Sequence, residues 1–147
     1  MNQLLSLGVT GINFVGADIP GFIGNATDDL FVKFYQLGGF FPFMRAHSHK
    51  DSLHREPWAQ TEMVQRAIKE AIFMRYDLIH YLYTQFYMAS TEGTPILRPT
   101  HYEFPADSET FDLDQQFMWG SQILVAPKLK APLYKQSKYY FPRSSDD

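Results

Sequence analysis

An α/β fold, with parallel strands first and antiparallel strands in its last third, is predicted by three observations. Two apolar runs, Val9 to Val15 and Phe40 to Met44, flank one short helical segment, and each gives way to a polar loop. Strands separated by a single helix make a βαβ unit and therefore parallel neighbours. Second, the stretch from Glu62 to Glu92 repeats apolar residues at helical spacing. Third, beyond Gly93 the apolar period shortens to that of strands, interrupted by Pro, Gly, Asp and Ser, the pattern of an antiparallel β region. The change falls near Glu92, so the expected division is 1–92 and 93–147.

Leu4, Leu5, Leu7 and Gly8 read as the last turn of a helix with a glycine stop. Val9 to Val15 then reads as the first strand, ending at Gly16, Ala17 and Asp18. Gly21 to Asp28 is a loop in which Asn25 or Thr27 can cap the next helix, with Asp28 and Asp29 suiting its N-terminal dipole. That helix covers about 28–37, with Leu30, Phe31, Phe34 and Leu37 on one face, and Gly38 and Gly39 stop it. Phe40 to Met44 is the second strand; Pro42 fits there only if its missing donor costs no ladder bond. Residues 46–58 form a polar loop with three histidines. Thr61 is the expected N-cap of the long helix, whose apolar face slips near Arg75 to Asp77, the place for a bend or break. Short strands are expected at 96–100, 117–119, 122–126 and 138–141. The helical turn at the start has nothing before it and the last strand has no partner after it, so the chain is expected to be part of a longer protein.

Composition narrows the function classes. The 147 residues are 45% hydrophobic and 20% charged, ordinary for a globular protein. A net charge of −3 without any basic run argues against a nucleic-acid partner. With no cysteine, disulfides and thiolate metal sites are excluded. The N-terminus lacks the basic and apolar segments of a signal peptide, and no apolar run reaches the length of a membrane span.

In βαβ units, polar residues beyond the strand C-termini face the site. Asp18 and His47 hold that position on the two expected strands. A carboxylate at Asp18 can accept hydrogen bonds from sugar hydroxyls or from an arginine, and the neighbouring glycines let a ligand approach the backbone. Arg45 sits at the adjacent strand end and can pair with Asp18 through two parallel bonds; a purely structural ion pair is the competing reading. His47-Ser48-His49, with Asp51 and His54 nearby, allows a metal site, although the pair lies past the strand end, where two rings no longer share one face. Trp58 reads as core or, alternatively, as a stacking platform. Arg75 reads as a buried polar anchor, and Arg98 as a brace at the junction. Glycoside hydrolysis needs two carboxylates flanking the bond, and only one rim carboxylate, Asp18, is identifiable.

GADIPGF (16–22), FFPFMRAHSH (40–49), REPW (55–58), MRYDLIHYLYTQFYMASTEGTPILRP (74–99) and DQQFMWGSQILVAP (114–127) together resemble glycoside hydrolase family 31, the α-glucosidases. The resemblance spans nearly the whole chain and keeps the family's motif order. The REPW segment is similar to the branch that contains glucosidase II, and the TEG-x-P…RP run is shared with the maltases. Two positions depart from the pattern: Pro20 stands where glycine is common, which would stiffen the loop beside Phe22, and His80 where proline is common, which would make the long helix straighter.

The resemblance implies the last strands and helices of a (β/α)8 TIM barrel, followed by the beginning of an antiparallel β-sandwich domain. It implies a retaining enzyme that removes terminal α-linked glucose from oligosaccharides or glycans without metal or organic cofactor. The nucleophile and acid/base belong to motifs absent here and expected upstream of Met1, so the chain by itself is expected to be inactive. Carried over by motif, Phe22 would be an apolar wall of the pocket for the cleaved glucose, His47 would hydrogen-bond its hydroxyls, and Asp18 and Arg45 would shape and orient the pocket. The partners implied are the glycan substrate and, if the chain falls in the glucosidase II branch, a regulatory subunit. The endoplasmic-reticulum lumen, the lysosome and the cell exterior are the compartments the family allows. Two rivals remain: a metal-dependent barrel hydrolase using His47 and His49, and a non-catalytic carbohydrate-binding or interaction product of a truncated gene.

Overall fold

A strand exists only where a neighbour lies in register, and this rule shortens both parallel strands of the chain. In the computed structural model, which describes residues 1–129 and 139–143, helix α1 occupies Asn2–Val9. The chain leaves it through Thr10, whose hydroxyl bonds the Leu7 carbonyl at 2.9 Å. Val9 to Val15, expected as a strand, is therefore the end of a helix followed by a turn and irregular chain. Its apolar residues Val9, Ile12 and Phe14 are exposed. Pairing starts only at Val15, whose carbonyl accepts from the Phe43 N–H at 2.9 Å. The first strand, β1, is Asp18–Ile19, so Asp18 opens the ladder and does not follow it.

Helix α2, Asp28–Gly38, starts at Thr27, whose hydroxyl accepts from the Leu30 N–H at 3.3 Å, with Asp28 and Asp29 in the first turn. Its buried face differs in part from the expected one: Phe31, Tyr35 and Leu37 are buried whereas Leu30 is exposed. After α2, Phe40 and Phe41 turn back onto the Leu37 and Gly38 carbonyls. The expected second strand at 40–44 is thus displaced, and the ladder strand β2 is Arg45–Ala46. Pro42 precedes the ladder, where its missing donor costs nothing. Arg75 supplies the partners this turn lacks, donating to the carbonyls of Gly39 (2.8 Å), Phe41 (2.7 Å) and Pro42 (3.2 Å). Burial lowers the pKa of its guanidinium, and these three acceptors offset the cost of burying it.

The long helix breaks where its apolar face slips. Helix α3 spans Glu62–Asp77 and α4 Ile79–Glu92, separated at Leu78 (φ −99°, ψ 4°). The break forms in a stretch that holds no proline. Thr61 stands at the N-cap of α3 but makes no cap bond; its hydroxyl goes instead to the Asp28 carboxylate at 3.0 Å. Val64, Ile68 and Ala71 of α3 close with Ile19, Phe31 and Tyr35 into one apolar core. Removing such side chains from water drives the association of helix and strand, at about 25 cal/mol per Å².

The chain divides into two compact units, residues 14–84, and residues 1–13 with 85–147. In the first, β1 and β2 pair in parallel, with Asp18 opposite Arg45 and Ile19 opposite Ala46. In the second, β3 (Leu97–Arg98), β4 (Phe117–Trp119) and β5 (Ile123–Val125) make an antiparallel sheet in that order. A short helix, α5, takes Thr100–Glu103, where the strand was expected to continue to residue 100. Pro99 has no N–H to donate, so the ladder stops there. The buried Arg98 donates to the Pro95 carbonyl at 2.6 Å, to Glu103 and to Gln85, tying the start of the sheet to α4. The strand expected at 138–141 begins outside the described residues; Tyr139 to Phe141 are not in a strand. Gln116 nevertheless clamps the Tyr140 backbone, donating to its carbonyl (2.7 Å) and accepting from its N–H (2.9 Å).

A closed (β/α)8 barrel takes about 250 residues. The parallel sheet described here has two strands, and large apolar side chains such as Phe14, Ile23 and Phe73 are exposed. Expressed alone, residues 1–147 are expected to aggregate or to require a complementing segment. Size-exclusion chromatography with thermal melting checks this; a sharp cooperative melt of a soluble monomer would contradict it.

Candidate functional site

Two loops are laced together beyond the short parallel ladder. The His47 N–H donates to the Ile19 carbonyl at 3.2 Å and the His49 N–H to the Phe22 carbonyl at 2.9 Å. Further on, the Leu53 N–H donates to the Asn25 side chain at 2.9 Å. The loop after β2 thus runs alongside the loop after β1. Ile19 is completely buried, so the side chain of its neighbour Asp18 points the opposite way, to the solvent face of the ladder.

On that face, Arg45 Nη2 lies 2.7 Å from Asp18 Oδ1. The two residues are register partners, so the pair costs no loop movement. The guanidinium also sits 5.2 Å from the centre of the Phe43 ring, which leaves the arginine held on one side by charge and on the other by an aromatic face. Phe22 stacks on the His47 imidazole, with ring centres 5.6 Å apart and planes inclined by 28°. It meets the His49 ring edge-on at 6.0 Å. The four residues singled out from the sequence thus form two direct pairs, Asp18 with Arg45 and Phe22 with His47, joined by the same ladder. Phe22 is 43% exposed, available to a ligand. Gly21 (φ +105°) and Gly24 (φ +79°) bracket it, in backbone conformations that residues with a Cβ rarely adopt.

Sequence reasoning missed Arg55. It is 6% exposed, and its two terminal nitrogens donate to the carbonyls of Gly21 and Gly24. The REPW motif includes it, but nothing local shows its role, since its partners lie more than thirty residues earlier. Beside it, a bond from its own backbone N–H, helped by His54, holds the Glu56 carboxyl below its ordinary pKa against the upward push of desolvation. Burial, and then the Glu56 charge, raise the pKa of the Tyr35 phenol. Trp58, read as core, is 77% exposed: Pro57 opens a single tight turn, Pro57–Ala59, with no buried residue in it.

The arrangement can bind, and among the described residues it does not present the carboxylate pair of glycoside hydrolysis. Asp18 is committed to Arg45, whereas a retaining glycosidase needs two carboxyl groups about 5–5.5 Å apart. The metal reading of His47 and His49 gains no support from the geometry. Both rings face Phe22, and among the described residues no three His, Asp or Glu groups could hold a metal ion. Among the same residues no helix is long and apolar enough to cross a membrane.

Comparison with known proteins adds independent findings. Residues 1–85 match the model of the glycosyl hydrolases family 31 TIM-barrel domain, and residues 93–146 that of the glycosyl hydrolase family 31 C-terminal domain. The chain is 45% identical over 123 residues to neutral alpha-glucosidase AB of Mus musculus, covering 84% of this chain and 13% of that protein. It is 42% identical over 141 residues to lysosomal alpha-glucosidase of Rattus norvegicus, covering 96% and 15%. It superposes with a TM-score of 0.84, at 40% identity, on a crystal structure of the ER glucosidase II heterodimeric complex of catalytic subunit and regulatory-subunit binding domain, covering 87% of this chain and 14% of that one. The chain therefore spans about one seventh of the length of these relatives. Its fold is α/β, the closing strands and helices of a (β/α)8 barrel followed by the beginning of an antiparallel β domain. The parallel ladder, the laced loops beyond it and the matched motifs lead to one assignment: this chain belongs to glycosyl hydrolase family 31.

Proposed function

We propose that the chain forms the closing part of the catalytic barrel of a retaining α-glucosidase that removes terminal α-linked glucose from oligosaccharides or glycans. The observation that carries this reading is the half-exposed Phe22 ring stacked on His47 beside the Asp18–Arg45 pair. An apolar ring next to hydrogen-bonding groups suits a sugar, whose faces carry C–H groups and whose rim carries hydroxyls. In this reading Phe22 is the wall of the glucose pocket, His47 bonds the hydroxyls, and Arg45 and Asp18 orient the two loops. The barrel part covers 1–92, and the β-sandwich starts at 93. The nucleophile and the acid/base belong to other strands of the barrel. The likeness to a glucosidase II catalytic subunit in complex with its partner extends the proposal to a regulatory subunit.

The test separates binding residues from chemical ones. Purified residues 1–147, refolded or co-expressed for solubility, are expected not to hydrolyse p-nitrophenyl α-glucoside, whereas the complete enzyme does so with retention of configuration. Turnover by the rigorously purified chain, abolished by Asp18→Asn, would overturn the reading that the catalytic carboxylates lie elsewhere.

A further inference from the structure

We infer that Arg55 is the positioning residue of the pocket: its guanidinium fork fixes the loop that carries Phe22 and so sets the stacking of Phe22 on His47. This rests on the proposal that Phe22 and His47 line a sugar pocket. Three observations carry it. The guanidinium donates to the carbonyls of Gly21 and Gly24, the two residues that bracket Phe22 and Ile23. Both glycines have positive φ, and α2 begins only at Asp28, so regular secondary structure does not hold this turn. The fork comes from the second loop, eight residues beyond His47, so one side chain ties the loop of Phe22 to the loop of His47.

Its chemistry fits the task. Arg55 is buried, yet its acceptors are backbone carbonyls, and its Nε has no partner among the described residues. Burying a charge with one donor unmet is unfavourable, and the two carbonyls are what this guanidinium obtains in return. A planar fork spans two acceptors with a fixed separation. A lysine keeps the charge but is a compact ammonium on a flexible stem and does not reproduce that geometry.

The experiment is a double-mutant cycle in the complete enzyme, with Arg55→Lys, Arg55→Ala, Phe22→Ala and the double variants, read by kcat, KM, binding of glucose as a competitive inhibitor, and melting temperature. Displacing a pocket wall by about 1 Å can cost up to about a hundredfold. Both Arg55 variants are expected to lower kcat/KM by about tenfold to a hundredfold and to weaken glucose binding. The melting temperature of Arg55→Lys is expected to stay near that of the parent. In the Phe22→Ala background, Arg55→Lys is expected to cost little more, because the group it positions is gone. Additive losses, full rescue by lysine, or a loss of activity that only tracks the fraction folded would overturn the positioning role. Normal kinetics of Phe22→Ala would instead overturn the pocket assignment beneath it, and the inference with it.

Discussion

In the complete enzyme, His47→Ala is expected to lower kcat/KM by about two to three powers of ten while the fold survives. The imidazole is exposed on the ladder's open side and stacks on Phe22, and its backbone, rather than its ring, makes the bond that laces the loops. Truncating the ring therefore leaves the lacing intact. An imidazole in its neutral form can donate to one sugar hydroxyl and accept from another. Bonds to the hydroxyls can strengthen as the sugar distorts toward its oxocarbenium-like transition state. Their loss should cost roughly 2–4 kcal/mol, by analogy with deleting one oxyanion donor. Activity per folded molecule and melting temperature, measured on the same variant, give the answer. Activity within about threefold of the parent, a shift of only roughly 0.6 kcal/mol, would remove His47 from the pocket. A lowered melting temperature with normal specific activity would make it a packing residue.

Gly16→Ala is expected to be the most damaging single methyl group in residues 14–84. A Cβ built on Gly16 would lie 1.8 Å from the Phe43 carbonyl oxygen and 2.9 Å from its carbon. Both are backbone atoms of the chain that pairs here, and the adjacent Val15 carbonyl accepts the Phe43 N–H at 2.9 Å. No rotamer change relieves such a clash; the strands must part. Separation breaks the Val15–Phe43 bond and pulls Asp18 away from Arg45 two residues further on. Overpacking of this kind costs roughly 1–3 kcal/mol and occasionally more, with the broken backbone bond adding to it. The expected result is loss of soluble enzyme, or a clearly lowered melting temperature with impaired glucose binding in what remains. A variant with parental melting temperature and inhibitor affinity would show that the two strands do not meet as described.

The sequence revealed helices more accurately than strands. Helix α2 was readable from a cap at Asn25 or Thr27, of which the structure uses Thr27, two acidic residues in the first turn and two glycines behind it, because those signals act within one or two turns of chain. The break between α3 and α4 was readable from the slip of the apolar face. The parallel strands were not placed correctly. Val9 to Val15 has the β-branched, apolar look of a strand, yet its pairing begins only at Val15, since a ladder needs a partner in register and register is a property of two segments. Trp58 failed for a related reason: its indole is apolar, but the tight turn it sits in faces it outward.

What the sequence by itself determined is the class of the fold and the family, because motif order and periodicity are carried along the chain; the four residues proposed for the pocket were named from the matched motifs. The structure bears out the Asp18–Arg45 pair that the adjacent strand ends allowed, and it alone decided the other contacts. Asp18 finds Arg45 across twenty-seven residues, Phe22 stacks on His47 with the planes inclined by 28°, and Arg55 reaches back to Gly21 and Gly24. The Asp18–Arg45 pairing follows from the register of one two-residue ladder. A shift of that register by a single position would turn every side chain on it to the opposite face.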